Sequence, residues 1–300
     1  MLVRNSAKAK AVKPQAEISK LIESVSEEDL RQWVTRLAVP RHFVAQPKVN
    51  RRTAELIADY LTKWGYDVSF QGTYYNVVAK PPGIKSGYQI VAAHFDSTAL
   101  TPGADDNASA VASMLGCAKV LAGIKPWIPV VFVSFNCEED GLLGSLDFVS
   151  HLSVRERAQI KCAHVLEMVG FSSDQPNSQV TPVSLPIKTP TVGNFLGLLA
   201  NGVSSKHMNH ALQQAKCHLP DLPTIGLHVM MGFEKYLPVL HRSDHAPFWQ
   251  AGIPAVMWTD TSEFRNPHYH QSSDTAETLN YGFLRRITQL LTATVLTRAK

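Results

Sequence analysis

An apolar run, PVVFVSF, occupies residues 129–135 and is followed by two adjacent carboxylates, Glu138 and Glu139. Such a run is typical of a strand buried on both faces of a parallel sheet, because half-buried strands alternate apolar and polar residues. In open α/β sheets, ligands bind in the crevice beyond the carboxyl ends of the strands. Two neighbouring carboxylates repel each other unless a cation or a shared proton lies between them. The run therefore predicts an α/β fold with an acidic site at one edge of its sheet.

The rest of the chain alternates strand patterns with helix patterns. Further strands are predicted at 66–70, 76–80, 89–94, 163–169, 224–229 and 254–258, and helices at 26–39, 51–64, 107–123, 142–152 and 244–250. A closing helix is predicted to start at a capping-box pattern, Asp274 to Glu277. This alternation predicts a three-layer α/β/α architecture with a central mixed, largely parallel sheet.

The chain is long enough for one α/β domain with insertions. Its 300 residues are 45% hydrophobic, which supplies a sizeable core. We expect a mobile basic tail over 1–17 and a single domain over 18–300, with a surface insertion around 172–240 that begins rich in Ser, Pro and Thr. No apolar run reaches the about 18 residues that cross a bilayer.

Charge and cysteine usage limit the partners and the compartment. The net charge of +4 is scattered, without the basic stripe and interleaved aromatics of nucleic-acid binding. The four cysteines are far apart in the sequence and are typical of small buried hydrophobes in a reduced compartment. The first residues lack the apolar region of a secretory signal. We therefore expect a cytoplasmic monomer that binds neither nucleic acid nor membrane, or a secreted or periplasmic protein if the chain is a trimmed mature form.

Polar residues of the kinds that bind metals occur where other predicted strands and loops end. Each alone has an ordinary explanation, since a single His is often structural, Asp-Asp-Asn is a common helix cap, and a Glu-Glu pair is often solvated. A carboxylate inside an apolar strand is harder to dismiss, because its burial costs several kcal/mol unless it is paired. Five such positions at one sheet edge are improbable as coincidence: His94, Asp106, Glu139, Glu167 and His270.

These side chains offer oxygen and imidazole ligands without a thiolate. That donor set favours zinc, with manganese or cobalt as possible substitutes. Two histidines and three carboxylates exceed the three protein ligands of one catalytic zinc. Five ligands suit two metal ions that share one bridging carboxylate.

The motifs HFDS, GADDNAS, NCEEDGLLGS, LEMVG, SDHAPFWQAGIPA and YHQSSDT resemble those of the co-catalytic di-zinc aminopeptidase family. This family includes bacterial leucyl aminopeptidases and, more distantly, glutaminyl cyclases. The resemblance runs in order from about residue 30 to the end of the chain. It implies that His94, Asp106 and Glu167 hold one zinc, and that Asp106, Glu139 and His270 hold the other. The family usually has Asp where this chain has Glu167, so the ligation there is a departure from the pattern.

The resemblance also implies roles for neighbouring residues. Glu138 matches the family's general base, and a hydroxide activated by two zinc ions would remove N-terminal amino acids from peptides or small proteins. Tyr269 is either a stabiliser of the oxyanion or an aromatic wall of the pocket. Asp96 is expected to accept a hydrogen bond from His94, and the bond after Asp106 to be cis.

Further residues are assigned structural or supporting roles. Asp105 and Asn107 are expected to be turn or cap residues, Asp274 to cap the last helix, and Asp244 and His245 to support the site.

Two other functions fit the same scaffold. A glutaminyl cyclase would carry one zinc and release ammonia from an N-terminal Gln, and adjacent acids at Glu138 and Glu139 do not exclude it. A binding module that kept the fold would be inactive, although such proteins usually lose ligands, and here every expected position has a competent side chain.

Overall fold

A computed structural model describes residues 1–84, 87–182, 187–230 and 232–299. Within them, one nine-stranded sheet has the order β1-β8-β7-β9-β6-β4-β5-β3-β2. The strands are β1 Leu2–Asn5, β2 Asp67–Gln71, β3 Asn76–Lys80, β4 Tyr88–His94, β5 Val130–Phe135, β6 Ile160–Glu167, β7 Leu196–Ala200, β8 Thr224–His228 and β9 Ala255–Thr259.

The parallel part of the sheet lies at its centre. Strands β5, β4, β6 and β9 are neighbours and run parallel, as do β7 and β8. The pairs β1/β8, β2/β3, β3/β5 and β7/β9 are antiparallel. Every residue of β5 is buried, which explains its unbroken apolar sequence. The predicted mixed α/β sheet is confirmed.

Helices cover both faces of the sheet. They are α1 Ala16–Glu23, α2 Glu27–Leu37, α3 Pro47–Lys63, α4 Ala110–Leu121, α5 Leu143–Ser150, α6 Val154–Gln159, α7 Ser205–His218, α8 His245–Gln250 and α9 Tyr281–Leu296. Alternate residues of β4 contribute to two separate cores, Val91 to the one that contains α4 and α9 and Ile90 to the one that contains Phe148 and Phe248. The predicted three layers are therefore confirmed.

The amino-terminal segment is not the mobile tail that we predicted. Leu2–Asn5 pairs antiparallel with β8, and Arg4 Nη1 donates a hydrogen bond to Asn209 Oδ1 at 2.6 Å. Without this strand, β8 would present unpaired backbone N–H and C=O groups at the sheet edge. A four-residue strand is too short to show a periodic pattern, so it could not be predicted from the sequence.

The region around 172–240 is also more than the predicted surface insertion. Strands β7 and β8 extend the sheet, and α7 packs on them with Met208 fully buried. Residues 172–182 and 187–195 contain no helix or strand, as expected, while 183–186 and 231 lie outside the described residues. The insertion therefore contributes core as well as surface.

The last helix begins later than its predicted cap. Helix α9 starts at Tyr281, and the side chain of Asn280 accepts a hydrogen bond from the backbone N–H of Phe283. Asp274 caps no helix; its carboxylate binds a distant loop, described below. Across the described part of the chain, no helix has both the length and the apolar character needed to span a membrane.

Candidate metal centre

Three parallel strands bring a first group of ligand-type side chains to one edge of the sheet. His94 is the last residue of β4, Glu167 is the last of β6, and Glu138 follows β5. Since the carboxyl ends of parallel strands share an edge, these side chains converge. One ligand atom from each lies within 4.8 Å of the others.

A second group adjoins the first and comes from loops. Asp106 lies in the turn before α4, Glu139 follows Glu138, and His270 lies in the loop before α9. His270 Nε2 is 3.2 Å from Asp106 Oδ2 and 3.2 Å from Glu139 Oε2. The structure thus brings together all five residues that the sequence predicted as ligands.

Asp106 lies between the two groups. Its Oδ1 is 3.4 Å from His94 Nε2, and its Oδ2 is 3.2 Å from His270 Nε2. The two oxygens of one carboxylate therefore face different histidines, which is the arrangement that a bridging ligand requires. The peptide bond between Asp106 and Asn107 is cis, as predicted.

The backbone around Asp106 is held from both sides. The carboxylate of Asp274 accepts hydrogen bonds from the backbone N–H groups of Asp105 at 2.9 Å and Asp106 at 3.1 Å. Gly103 has a φ of +63°, and a Cβ there would lie 2.3 Å from the carbonyl oxygen of Asp106. Only glycine fits this turn, because any side chain would displace the residue that lies between the groups.

The remaining members of the predicted turn hold the end of β6. Asn107 Oδ1 accepts from the N–H of Met168, and Asn107 Nδ2 donates to the carbonyl of Leu166. Asp105 accepts from the N–H of Gly170 and from Asn266 Nδ2. Asp105 and Asn107 do lie in the turn before α4, but the sequence did not predict that their side chains bind residues about 60 or more positions away.

The ligand-type atoms are short of ordinary hydrogen-bond partners. Among the described residues, neither ring nitrogen of the fully buried His94 has a hydrogen-bond partner, and nor does Oε1 of Glu139. Buried polar atoms are nearly always paired, so such orphans indicate a missing partner. Cations would supply that partner, and the imidazole and carboxylate donors suit zinc. The residues present therefore fit a metal centre.

Electrostatics support the same fit. Burial and the nearby charge of Asp106 raise the pKa of Glu139 to about 7, and burial with neighbouring carboxylates raises the pKa of Glu138 well above its usual value. Contacts with Asp106 and Glu139 raise the pKa of His270 to about 10. Burial alone would lower the pKa of His94, but Glu167 and Glu138 raise it well above the usual value. These raised pKa values mean that the histidines and glutamates of the centre bind protons more readily than usual, and bound cations would displace those protons.

Asp96 connects the two groups through the backbone. Its Oδ1 lies 3.3 Å from His94 Nδ1, but the pair does not have the geometry of a hydrogen bond, so the predicted hydrogen bond is not formed. Its two oxygens accept instead from the N–H groups of Glu138 and Glu139, each at 3.2 Å. The sequence predicted the contact with His94 but missed this second role, which orients the adjacent acids.

Two residues that the sequence did not single out also contact the centre. Ser243 Oγ donates to Glu167 Oε2 at 2.6 Å. Arg242 Nη2 donates to the hydroxyl of Tyr269 at 3.2 Å, and Arg242 also pairs with Glu263. The ring of Tyr269 stacks on His270, with centroids 3.8 Å apart. Both interpretations of Tyr269, oxyanion donor and pocket wall, stay predictions.

The SDH segment adjoins the site through Ser243, and a supporting role for its other two residues stays a prediction. Asp244 is fully buried, neither of its carboxylate oxygens has a hydrogen-bond partner among the described residues, and burial raises its pKa to about 7. His245 Nε2 is 2.8 Å from the carbonyl oxygen of Leu240. Neither residue belongs to the two ligand-type groups.

A cavity of about 430 Å³ adjoins both groups. Asp106, Glu138, Glu139 and His270 line one part of it, and Arg242 and Glu263 also border it. Most of the remaining wall is apolar and comes from β7, β8, β9 and nearby loops, including Phe195, Leu198, Leu199, Leu227, Met257 and Phe264. A molecule in this cavity would meet the charged centre on one side and apolar surface elsewhere.

Comparison with known proteins gives a consistent set of relatives. The model of peptidase family M28 matches residues 76–221 and 223–295. The uncharacterized protein YfbL of Escherichia coli is 32% identical over 267 residues, which cover 83% of this chain and 80% of YfbL.

Two solved structures are similar to different extents. BSAP, a zinc aminopeptidase from Bacillus subtilis, is 29% identical with a TM-score of 0.56, over 73% of this chain and 48% of that one. LapA aminopeptidase of Legionella pneumophila has a TM-score of 0.74 at 20% identity, over 96% of this chain and 76% of that one. The likeness to LapA is one of fold. The chain spans about half the length of BSAP.

Proposed function

This chain belongs to peptidase family M28, and from that membership we propose that it is a zinc aminopeptidase that removes single residues from the N-terminus of peptides. The membership confirms the family resemblance of the motifs. The observation that carries the proposal is Asp106, whose two oxygens face two separate groups of ligand-type side chains. BSAP, which shares 29% of its aligned residues, is named a zinc aminopeptidase.

The proposed ligands follow from the two groups. His94 and Glu167 would hold one zinc, Glu139 and His270 would hold the other, and Asp106 would bind both. Ser243 would fix the orientation of Glu167, and Asp96 would fix the loop that carries Glu139. Residues that orient metal ligands through hydrogen bonds in this way commonly tune the affinity for the metal.

When bound, the two zinc ions would polarise the scissile carbonyl and activate the attacking water. The protein must then move one proton from that water to the leaving nitrogen. Glu138 is the proposed carrier, because its Oε2 lies 3.9 Å from His94 Nε2 and its side chain borders the cavity. A carboxylate that is buried, as Glu138 is, holds a proton more readily than a solvated one.

The cavity indicates how the substrate would lie. A protonated α-amine would be attracted to the carboxylate of Glu138, which lines the cavity and is not a proposed zinc ligand, and a blocked N-terminus would lack that attraction. The first side chain would then occupy the apolar part of the cavity, formed in part by Leu198 and Met257. We therefore propose a preference for apolar N-terminal residues.

A chromogenic assay tests this function directly. The purified protein, with zinc content measured, is offered a panel of aminoacyl-p-nitroanilides and their N-acetylated counterparts. We expect hydrolysis of apolar aminoacyl substrates, loss of activity with a chelator, recovery with zinc, and no cleavage of the acetylated compounds.

Three outcomes would contradict the proposal. Ammonia release from an N-terminal Gln peptide with one zinc per chain would indicate a cyclase. Two bound metals with no turnover of any unblocked substrate would indicate a binding module. Equal cleavage of acetylated substrates would contradict recognition of the free amine.

A further inference from the structure

Arg41 is a completely buried arginine beneath the metal centre, in the segment between α2 and α3. Its side chain donates hydrogen bonds to backbone carbonyls of the loop after β4. Nε donates to Phe95 O at 2.5 Å, Nη1 to Pro102 O at 2.5 Å, and Nη2 to Gly103 O at 2.9 Å. The guanidinium therefore binds both ends of this loop, at residues 95 and 102–103.

Both ends of that loop carry residues of the centre. Phe95 lies between His94 and Asp96, and Gly103 leads into the turn that contains Asp106. The backbone N–H of Arg41 also donates to Ser97 Oγ at 3.0 Å. A single planar side chain thus sets the distance between the segment that carries His94 and the segment that carries Asp106.

A second site loop, the one after β5, is attached through the backbone of the same residue. Asn50 Nδ2 donates to Arg41 O at 2.8 Å and to Asn136 Oδ1 at 2.9 Å, and Asn136 Nδ2 donates back to Asn50 Oδ1 at 3.0 Å. Asn136 comes two residues before Glu138. Arg41 and Asn50 together therefore join the loops after β4 and β5.

Arg41 forms no ion pair with any residue that the structure describes. The carboxylates that interact with it electrostatically are those of Asp96, Asp106, Asp274 and Glu139. Burial lowers the pKa of Arg41 to about 10, so the guanidinium stays charged at neutral pH. Its N–H groups are bonded to backbone carbonyls. The guanidinium therefore attracts these carboxylates through the protein interior rather than by direct contact.

We propose that Arg41 is a positioning residue of the metal centre, which fixes the spacing of the loops that carry His94, Asp106 and Glu138. The proposal rests on the proposed two-metal function. Lysine cannot replace this residue, because a single ammonium group cannot reach acceptors at both ends of the loop in one plane. The geometry of the two metal sites should therefore change when only the shape of the cation changes.

The test compares Arg41→Lys with Ile57→Ala. Ile57 is a fully buried core residue of α3, the helix that carries Asn50, so its truncation lowers stability in the same region without touching the loops. Both variants are loaded with Co²⁺ in place of zinc. Four quantities are measured well below the melting temperature: the visible absorption spectrum, the rate of metal release to a chelator, kcat and KM.

For Arg41→Lys we expect an altered Co²⁺ spectrum and metal release that is about 10- to 100-fold faster, as for other residues that orient metal ligands. The kcat should fall by a similar factor while KM changes little. Ile57→Ala should lower the melting temperature but keep the wild-type spectrum, release rate and kcat. Partial recovery in Arg41→Ala with added guanidinium, but not with ammonium, would support the same conclusion.

The proposal is overturned if Arg41→Lys only lowers the melting temperature and matches Ile57→Ala in spectrum, metal release and kcat. If wild-type protein binds two metal ions but hydrolyses no peptide, the proposed function fails. Faster release and a changed spectrum in Arg41→Lys would still support the positioning role in that case.

Discussion

Two buried histidines on neighbouring parallel strands differ in their hydrogen-bond partners and in the charges that surround them. His94 ends β4 and His164 lies inside β6, and both are at most 1% exposed. His164 is 3.2 Å from Trp258 Nε1, which donates to its Nδ1, and its Nε2 lies 3.4 Å from Gln89 Oε1. In the part of the chain that the structure describes, neither ring nitrogen of His94 has a hydrogen-bond partner, and carboxylates surround it.

The electrostatic contrast follows from these neighbours. Burial, together with His207 and His210, lowers the pKa of His164 to about 3, so it is neutral in the folded protein. The carboxylates around His94 have the opposite effect and outweigh its burial. A buried histidine with its own neutral partners belongs to the core, whereas one that faces only acids indicates a site for cations.

The largest expected effect comes from removing the residue shared by the two groups. Asp106→Ala should lose both zinc ions together and lower peptidase activity to background, because each site loses a ligand. Metal content by elemental analysis is the measurement. His164→Asn is the matched control in the core. Asn retains an acceptor for Trp258, so the variant should fold, and it should keep two zinc ions per chain because His164 belongs to neither ligand-type group. Loss of one zinc only in Asp106→Ala would contradict a bridging role.

The next effect separates catalysis from metal binding. Glu138→Gln should keep both zinc ions but lower kcat by about 10² or more, because the amide cannot accept the proton from the attacking water. Steady-state kinetics and zinc content measured on the same sample check this. Glu55→Gln, an exposed isosteric change on α3, is the control and should leave both unchanged. Undiminished turnover in Glu138→Gln would remove Glu138 from the proton transfer.

The third prediction concerns how the free energy of unfolding depends on pH through the core histidine, His164. A folded pKa of about 3 is below the unfolded value, so His164 contributes stability that is present above about pH 6.5 and is lost as the pH falls towards 3. At pH 5 the loss should be about 2 kcal/mol by linkage. Urea unfolding of wild type and His164→Asn at pH 7 and pH 5 measures it.

The difference between the two proteins isolates His164, because titration of the metal centre is common to both. The free energy of unfolding should fall less between pH 7 and pH 5 in His164→Asn than in wild type. An equal fall would mean that the histidine is already solvated or charged in the folded state.

The same contrast explains what the sequence could predict. Three residues of the centre lie at the end of an apolar strand or within four residues of it, and a parallel sheet places strand ends together. Their positions along the chain were therefore enough to predict His94, Glu139 and Glu167 as neighbours. The central strands were readable because they are mostly apolar. These features depend on local pattern and on one general rule of sheet geometry.

Other contacts depend on the distances between elements, which no local pattern encodes. Asp274 was assigned a helix cap because Asp-x-x-Glu before an apolar run is a cap pattern, but its carboxylate binds N–H groups 168 and 169 residues away. Arg41 followed no strand and belonged to no motif, although its side chain contacts both ends of the loop after β4. Strand β1 was missed because its partner β8 becomes an available edge only once the sheet order is fixed.

The smallest expected effect concerns Glu167, which stands where the family usually has Asp. Its longer side chain needs an orienting contact, and Ser243 Oγ supplies one at 2.6 Å. A hydrogen bond to a charged group contributes about 1.5–3 kcal/mol, so Ser243→Ala should weaken zinc binding by about tenfold or more at the site that includes His94 and Glu167. The site with Glu139 and His270 should keep its affinity, because Ser243 does not contact it.

Competition with a chromogenic chelator, which resolves the two zinc affinities, measures both. Equal weakening of both sites would show that Ser243 supports the whole centre rather than the orientation of Glu167.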